Sequence, residues 1–259
     1  MPACVVARLP KAWERSKNSK KETIAGILDG TVLRTSGYLP GSADVAVGSE
    51  VAQRFGLRPG DAVQGTGRPL ATVDSVNGLT PVITRPDFHR LSTDEPHKPL
   101  ELDRLVLLRG QRVLLRVPST AALADLTLTG VYDAHVMLVV VDAPSEVLST
   151  LRDGKAELVA SGADRPQAEH RGVVALVIER AKRLVELNHD VVVVFDLSRF
   201  GRFDPDAGRL ARQLLGTARS IKDGGSLTVV AGYDTEIPPV LHDLGCVELV
   251  WGPGRTPLP

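Results

Sequence analysis

Along Val173 to Glu186 the apolar residues Val174, Val177, Ile178, Ala181, Leu184 and Val185 recur at intervals of three and four, while Glu179, Arg180, Lys182, Arg183 and Glu186 take the other face. The spacing predicts an amphipathic helix lying on a sheet. Glu179 and Arg183 form an i,i+4 pair with the acid N-terminal, and Asn188 suits a left-handed stop after the last turn. Val191 to Phe195 then run unbroken between Asp190 and Asp196, as in a strand covered on both faces. Ligands of parallel α/β sheets sit beyond the carboxyl ends of the strands, so Asp196 stands where nucleoside triphosphatases hold a magnesium-binding acid.

Upstream, Thr23 to Thr84 reads as brief strands, TIAGIL, TVLR, ADVAV, DAVQGT, LATVDSV and PVIT, separated by turns at Asp29-Gly30, Pro40-Gly41, Pro59-Gly60 and Asn77-Gly78 and interrupted by a short helix over Ser49 to Phe55. This spacing predicts a small antiparallel barrel over residues 21–85. Gly65-Thr66-Gly67-Arg68 falls inside that pattern, with Pro69 and no helix after it, so its glycines are turn or bulge residues and not a phosphate loop. Residues 86–104 hold three prolines and five acids and keep no apolar period, which marks a linker. From residue 105 to 259 strands alternate with helical segments: LVLLRGQRVLLRV, PSTAALADLTLTG, HVMLVVVD, the helix and strand above, and SLTVVAGY. That alternation predicts a parallel sheet with right-handed crossovers.

The 259 residues suit one large or two small domains, and 43% hydrophobic content supports real cores. Aromatics at 4% point to a valine-rich core. No 18-residue apolar stretch occurs and the N-terminus lacks the apolar region of a signal peptide, so a cytoplasmic protein without membrane contact is expected. Cys4 and Cys246 make neither a CxxC pair nor a disulfide framework, and the six histidines have no metal-ligand spacing. The formal charge is zero. Residues 1–20 form a basic arm carrying Arg8, Lys11, Arg15, Lys17 and Lys20 beside Trp13, whereas residues 21–85 carry six charges of each sign. Nonspecific nucleic-acid affinity comes mainly from counterion release, so a neutral body argues against tight, sequence-blind RNA binding.

GILDG, then VLRTSGYLPGSADVAV, QRFGLRPGDAVQG and VDSVNG, resemble in order and spacing the cold-shock-type barrel of the bacterial transcription termination factor Rho family. The resemblance implies binding of pyrimidine-rich single-stranded RNA, with aromatic residues on adjacent strands stacking on the bases. This chain departs from it at Val32 and Leu33, where aromatics are expected, and at Ala46, in place of a tyrosine. A base stacked on an aromatic ring is worth roughly 1–3 kcal/mol, so these losses should remove most of the affinity. Arg34, Tyr38 and Arg58 remain as weak RNA contacts, and a scaffold or protein-binding barrel stands as the competing reading.

The second half resembles the RecA-like ATPase domain of the same family, through Gly110-Gln111-Arg112, Val139 to Asp142, Asp164-Arg165-Pro166, the Ile178 to Glu186 helix, the strand to Asp196, and Gly216 to Arg219 with Gly224 to Thr228. The implied fold class is α/β, a RecA-like parallel-sheet domain preceded by a small all-β OB or cold-shock-like barrel. A phosphate loop needs glycines, a lysine and a Ser or Thr for magnesium. By this resemblance the lysine falls on Leu123, the Thr on Ala124 and the last glycine on Ala122. After Asp142 the family's water-positioning glutamate is replaced in Ala143-Pro144-Ser145, and Glu146 reads as a helix-start acid. Arg199 and Arg202 match family arginines in uncertain register. The segment before Gly216 is shortened, and the family's section beyond Pro259, with its interface arginine, has only Arg255 as a poor stand-in. Pro118, Ser119, Thr120, Asp142 and Asp196 are what remains of a nucleotide site.

Loss of one preorganised donor costs about 2.7–4 kcal/mol of transition-state stabilisation. The expectation is therefore a Rho-like paralogue with no catalytic residues, no cofactor and no ATPase activity, kept for binding Rho itself, other transcription components or a second copy. ATP and magnesium enter only if the eroded site still binds. Two alternatives stand beside it: an RNA-dependent ATPase and termination factor with an unusual site, and a simple RNA-binding module using the basic arm.

Overall fold

The computed structural model describes residues 22–89, 98–102, 105–128, 133–151, 156–222, 224–234, 236–237 and 239–251; the expected basic arm and Arg255 lie outside these residues. Strands β1 (Thr23–Asp29), β2 (Val32–Arg34) and β3 (Val45–Ala46), helix α1 (Ser49–Arg54), and strands β4 (Ala62–Thr66) and β5 (Thr72–Val76) build an antiparallel sheet in the order β3-β2-β1-β4-β5. A bridge from Val47 to Leu70 draws its ends together. Ile24, Leu28, Leu33, Val45, Val63 and Val73 alternate inward and fill it. Asn77 and Gly78 both take positive φ, the left-handed pair that turns the chain back after β5.

Two expectations change here. Pro81 to Thr84 forms no strand. Pro81 has no N–H to offer a ladder, and the segment instead runs out to Arg85, whose guanidinium grips Asp61 and the Gly56 carbonyl. The linker, in turn, is not wholly irregular: β6 (Pro99–Leu102) pairs antiparallel with β7 (Leu105–Leu108), Leu100 sits in the core, and Phe88 is fully buried.

The second unit is a mostly parallel sheet with helices on both faces, so the expected fold class is the one adopted. Its strands are β8 (Arg112–Arg116), β9 (His135–Ala143), β10 (Glu157–Gly162), β11 (Asp190–Asp196), β12 (Arg219–Ser220), β13 (Ser226–Tyr233) and β14 (Val247–Val250). The order is β10-β9-β11-β13-β8-β14, with the short β12 antiparallel to β13. Helices are α2 (Thr120–Leu128), α3 (Ser145–Thr150), α4 (Gln167–Glu186), α5 (Phe200–Phe203) and α6 (Ala207–Leu215). The apolar run of β11 divides between two cores: Val191, Val193 and Phe195 join the layer under α4, and Val192 and Val194 the layer under α2. Strand β10, absent from the sequence-based expectation, adds an edge beside β9.

Helix α4 begins earlier than its apolar period suggests, directly after Pro166, and closes with the expected left-handed Asn188. The amides of Asn188 and His189 bond back to Val185 and Leu184, the paired bonds of a Schellman stop. Its polar face is not solvated: Arg180, Lys182, Arg183 and Glu186 are all buried. The barrel and the segment that leaves it at Phe88 lie against them. Gly60, at φ 84°, lies so close to α4 that a Cβ there would stand 2.3 Å from the Glu179 carbonyl carbon.

Candidate functional site

Three strands deliver polar groups to one place at the carboxyl edge of the parallel sheet. β8 leads through Val117 to Ser119 into α2, whose first turn is stapled by the Ala122 amide donating to Ser119 Oγ at 3.2 Å. Thr120 opens the helix, and its Oγ1 donates to Asp196 Oδ2 at 2.6 Å. Asp196, at the end of β11, is only 2% exposed. Its other oxygen accepts from Ser198 Oγ at 2.6 Å. Arg199, in the single 3-10 turn after β11, folds back and donates through Nε to Asp196 Oδ2 at 3.0 Å. The same guanidinium reaches Thr120 Oγ1 at 3.2 Å and, through Nη1, the Asp142 carbonyl at 3.0 Å. Asp142, the next-to-last residue of β9, has φ at 51°, a left-handed conformation that an acid adopts at some cost.

Behind Asp142, His170 of α4 is buried, its Nε2 3.9 Å from Asp142 Oδ1 and its Nδ1 2.7 Å from Ser161 Oγ. Burial holds the imidazole below its ordinary pKa against the opposing pull of Asp142, Glu169 and Asp164. On the other side, Leu123 and Ala124 are completely buried in the α2 core. Leu123 occupies the hollow left by Gly232 of β13, where an added Cβ would meet its methyls at 2.8 Å. Thr120, Asp142 and Asp196 therefore converge, Ser119 serves the helix start, and Pro118 stands exposed on the connecting loop. Sequence reasoning left Arg199 in uncertain register and did not single out Ser198, Ser161 or His170. The Asp-x-x-Arg spacing is the signal that could have found Arg199, since a single helical turn brings such a pair together.

Arg34, Tyr38 and Arg58, the three expected RNA contacts, all meet protein partners. Arg34 lies between Asp29 and Asp44, at 2.6 and 2.8 Å. Tyr38 is 4% exposed and donates its hydroxyl to Glu157 of the other unit at 2.6 Å. Burial and the Glu157 charge push its pKa well above the ordinary phenol value. Arg58 donates to Glu186 and to the Pro86 carbonyl. Burial, with Arg183 nearby, lowers its pKa. In these positions the three side chains are engaged in ion pairs and in docking the barrel, and the Tyr38 ring has no free face for a base. The outward cross-strand pair on β2 and β3 is Val32 with Ala46, without an aromatic ring, while Leu33 points into the core.

Residues 24–84 match the family described as Rho termination factor, RNA-binding domain. The transcription termination factor Rho of Streptosporangium roseum is 38% identical over 269 residues, covering 87% of this chain and 70% of that protein. The chain belongs to the Rho family. The Rho of Mycobacterium tuberculosis is 36% identical and that of Aquifex aeolicus 32%, with 81% and 75% of this chain aligned; the chain spans 45% and 57% of their lengths. Among solved structures, an ATPase from a type III secretion system of pathogenic bacteria aligns with 61% of this chain and 57% of its own at a TM-score of 0.49 and 16% identity. The family match coincides with the antiparallel sheet, so the expected barrel is a Rho-type RNA-binding domain. Among the described residues no helix is long and apolar enough to cross a membrane.

Proposed function

We propose that this Rho-family chain is a noncatalytic binding or regulatory factor of transcription termination, acting in the cytoplasm through a protein partner such as Rho, the transcription machinery or a second copy. The observation that carries the reading is the burial of Leu123 in the hollow at Gly232. By family resemblance a lysine would stand there to meet the phosphates, and Leu123 is instead a core residue.

Magnesium and a nucleoside triphosphate do not fit the remaining groups. Ala124 has no side-chain oxygen for a metal. The Asp196 carboxylate is already engaged by Thr120, Ser198 and Arg199. A triphosphate brought to this edge would meet no lysine, and the Arg199 guanidinium there is already committed to Asp196. On the barrel, the aromatic-free Val32–Ala46 pair and the engagement of Arg34, Tyr38 and Arg58 support a weak RNA role.

The test is phosphate release from ATP by the purified full chain, with and without polycytidylate and magnesium. Release indistinguishable from a protein-free blank is expected, and RNA-stimulated turnover would reject the reading.

A further inference from the structure

We propose that the Arg199 guanidinium is a built-in cation: it ties the ends of three strands together and closes the position to a divalent metal, which its removal would open. The inference deepens the reading above and rests on it. It comes from what surrounds one side chain. Arg199 is nine-tenths buried and its donors meet three kinds of oxygen, the Asp196 carboxylate, the Thr120 hydroxyl and the Asp142 carbonyl. These come from β11, from the start of α2 after β8, and from β9, neighbours or near neighbours in the sheet. A carboxylate, a hydroxyl and a backbone carbonyl are the ligands that hard cations take, and magnesium or manganese completes such a shell with water.

Electrostatics explains why something positive must be there. Asp196 is buried, and the hydroxyls of Thr120 and Ser198 supply hydrogen bonds but no charge. Within the group, Arg199 is the cation that balances the carboxylate. The turn that carries it brings Nε to Asp196 and Nη1 to Asp142 at once, a grip in which separate nitrogens of the planar arginine fork each meet one oxygen. The left-handed Asp142 aims its carbonyl at the same guanidinium, which gives that uncommon backbone conformation a reason.

The experiment uses Mn2+ followed by electron paramagnetic resonance, without nucleotide, on the wild type, on Arg199→Ala, on Asp196→Asn and on Asp196→Asn/Arg199→Ala. The expected result is no saturable Mn2+ in the wild type, a single saturable site in Arg199→Ala with a melting temperature that rises as Mn2+ is added, and loss of that site in the double variant. Should Arg199→Ala fail to fold alone, its far-ultraviolet circular dichroism is followed as Mn2+ is titrated; recovery supports the inference and absence of recovery overturns it. A wild-type Mn2+ site that Asp196→Asn abolishes also overturns it, as does a folded Arg199→Ala that takes no Mn2+. ATP turnover by the wild type would reject the noncatalytic reading, whereas these measurements, made without nucleotide, bear on Arg199 alone.

Discussion

Arg58 of the barrel donates through Nη2 to Glu186 Oε2 of α4 at 2.7 Å, and the same carboxylate receives the Phe88 amide at 2.9 Å and lies 3.2 Å from Arg183 Nη1. One buried acid thus joins the RNA-binding domain, the segment leaving it and the α/β unit. Glu186→Ala leaves two guanidiniums and an amide without their partner, and a broken buried pair costs about 3–5 kcal/mol. Urea unfolding should show a loss of that size. A loss below about 1 kcal/mol, the worth of an exposed pair, would mean that the contact does not hold the units together.

Close backbone approach makes a second demand. Gly60→Ala forces a Cβ into the Glu179 peptide and strains a positive φ, whereas Gly30→Ala strains a similar φ with nothing within 4 Å. The first should destabilise by about 2–5 kcal/mol, from overpacking added to strain, and the second by about 1–2. Equal melting temperatures for the two variants would contradict the docking of barrel on α4.

Tyr38 is a docking residue in this arrangement, so Tyr38→Phe should leave the affinity for a polycytidylate oligonucleotide unchanged in fluorescence anisotropy. Stability should fall by about 1.5 kcal/mol or more, the worth of a hydrogen bond to a charged group. A marked drop in RNA affinity at unchanged stability would return Tyr38 to the RNA face.

The same contact carries a pH signature. Burial raises the Glu157 pKa, but the His135 hydrogen bond and charge, the Tyr38 hydroxyl and Arg180 outweigh it and leave the carboxyl below its ordinary 4.5. A depressed folded pKa contributes stability that is present above the unfolded value and is lost as pH falls through the folded one. The stability difference between wild type and Glu157→Gln should therefore be full near neutrality and shrink on acidification below 4.5. A difference that grows on acidification would reverse the sign and refute the assignment.

Leu123→Lys restores the family's residue type but buries an ammonium in the α2 core. The expected outcome is a loss of about 3 kcal/mol or more by thermal or urea unfolding, with no gain of phosphate release. A stable variant with ATP-dependent protection would show that the pocket needs only its lysine.

Local chemistry alone determined a good deal. The run Val191 to Phe195 announces a strand covered on both faces because its alternate side chains must all leave water, and two cores duly share them. The period of α4 and the left-handed stop at Asn188 follow from neighbours three and four residues apart. Asp196 could be placed because ligands of a parallel sheet sit beyond its strand ends, and the resemblance to the Rho family added Thr120 and Asp142 to it. What tertiary structure decided was the second face of each element. The polar side of α4 reads as solvated until the barrel lies on it, and then Arg180, Arg183 and Glu186 become buried partners. Tyr38 and Glu157 are 119 residues apart, and nothing in either neighbourhood predicts their hydrogen bond. Arg199 lies three residues from Asp196, yet its hold on Asp142 depends on β9 and β11 lying side by side. Periodicity reports which side of an element avoids water, but not what arrives to cover the other side; that is set by contacts whose separation along the chain carries no local signal.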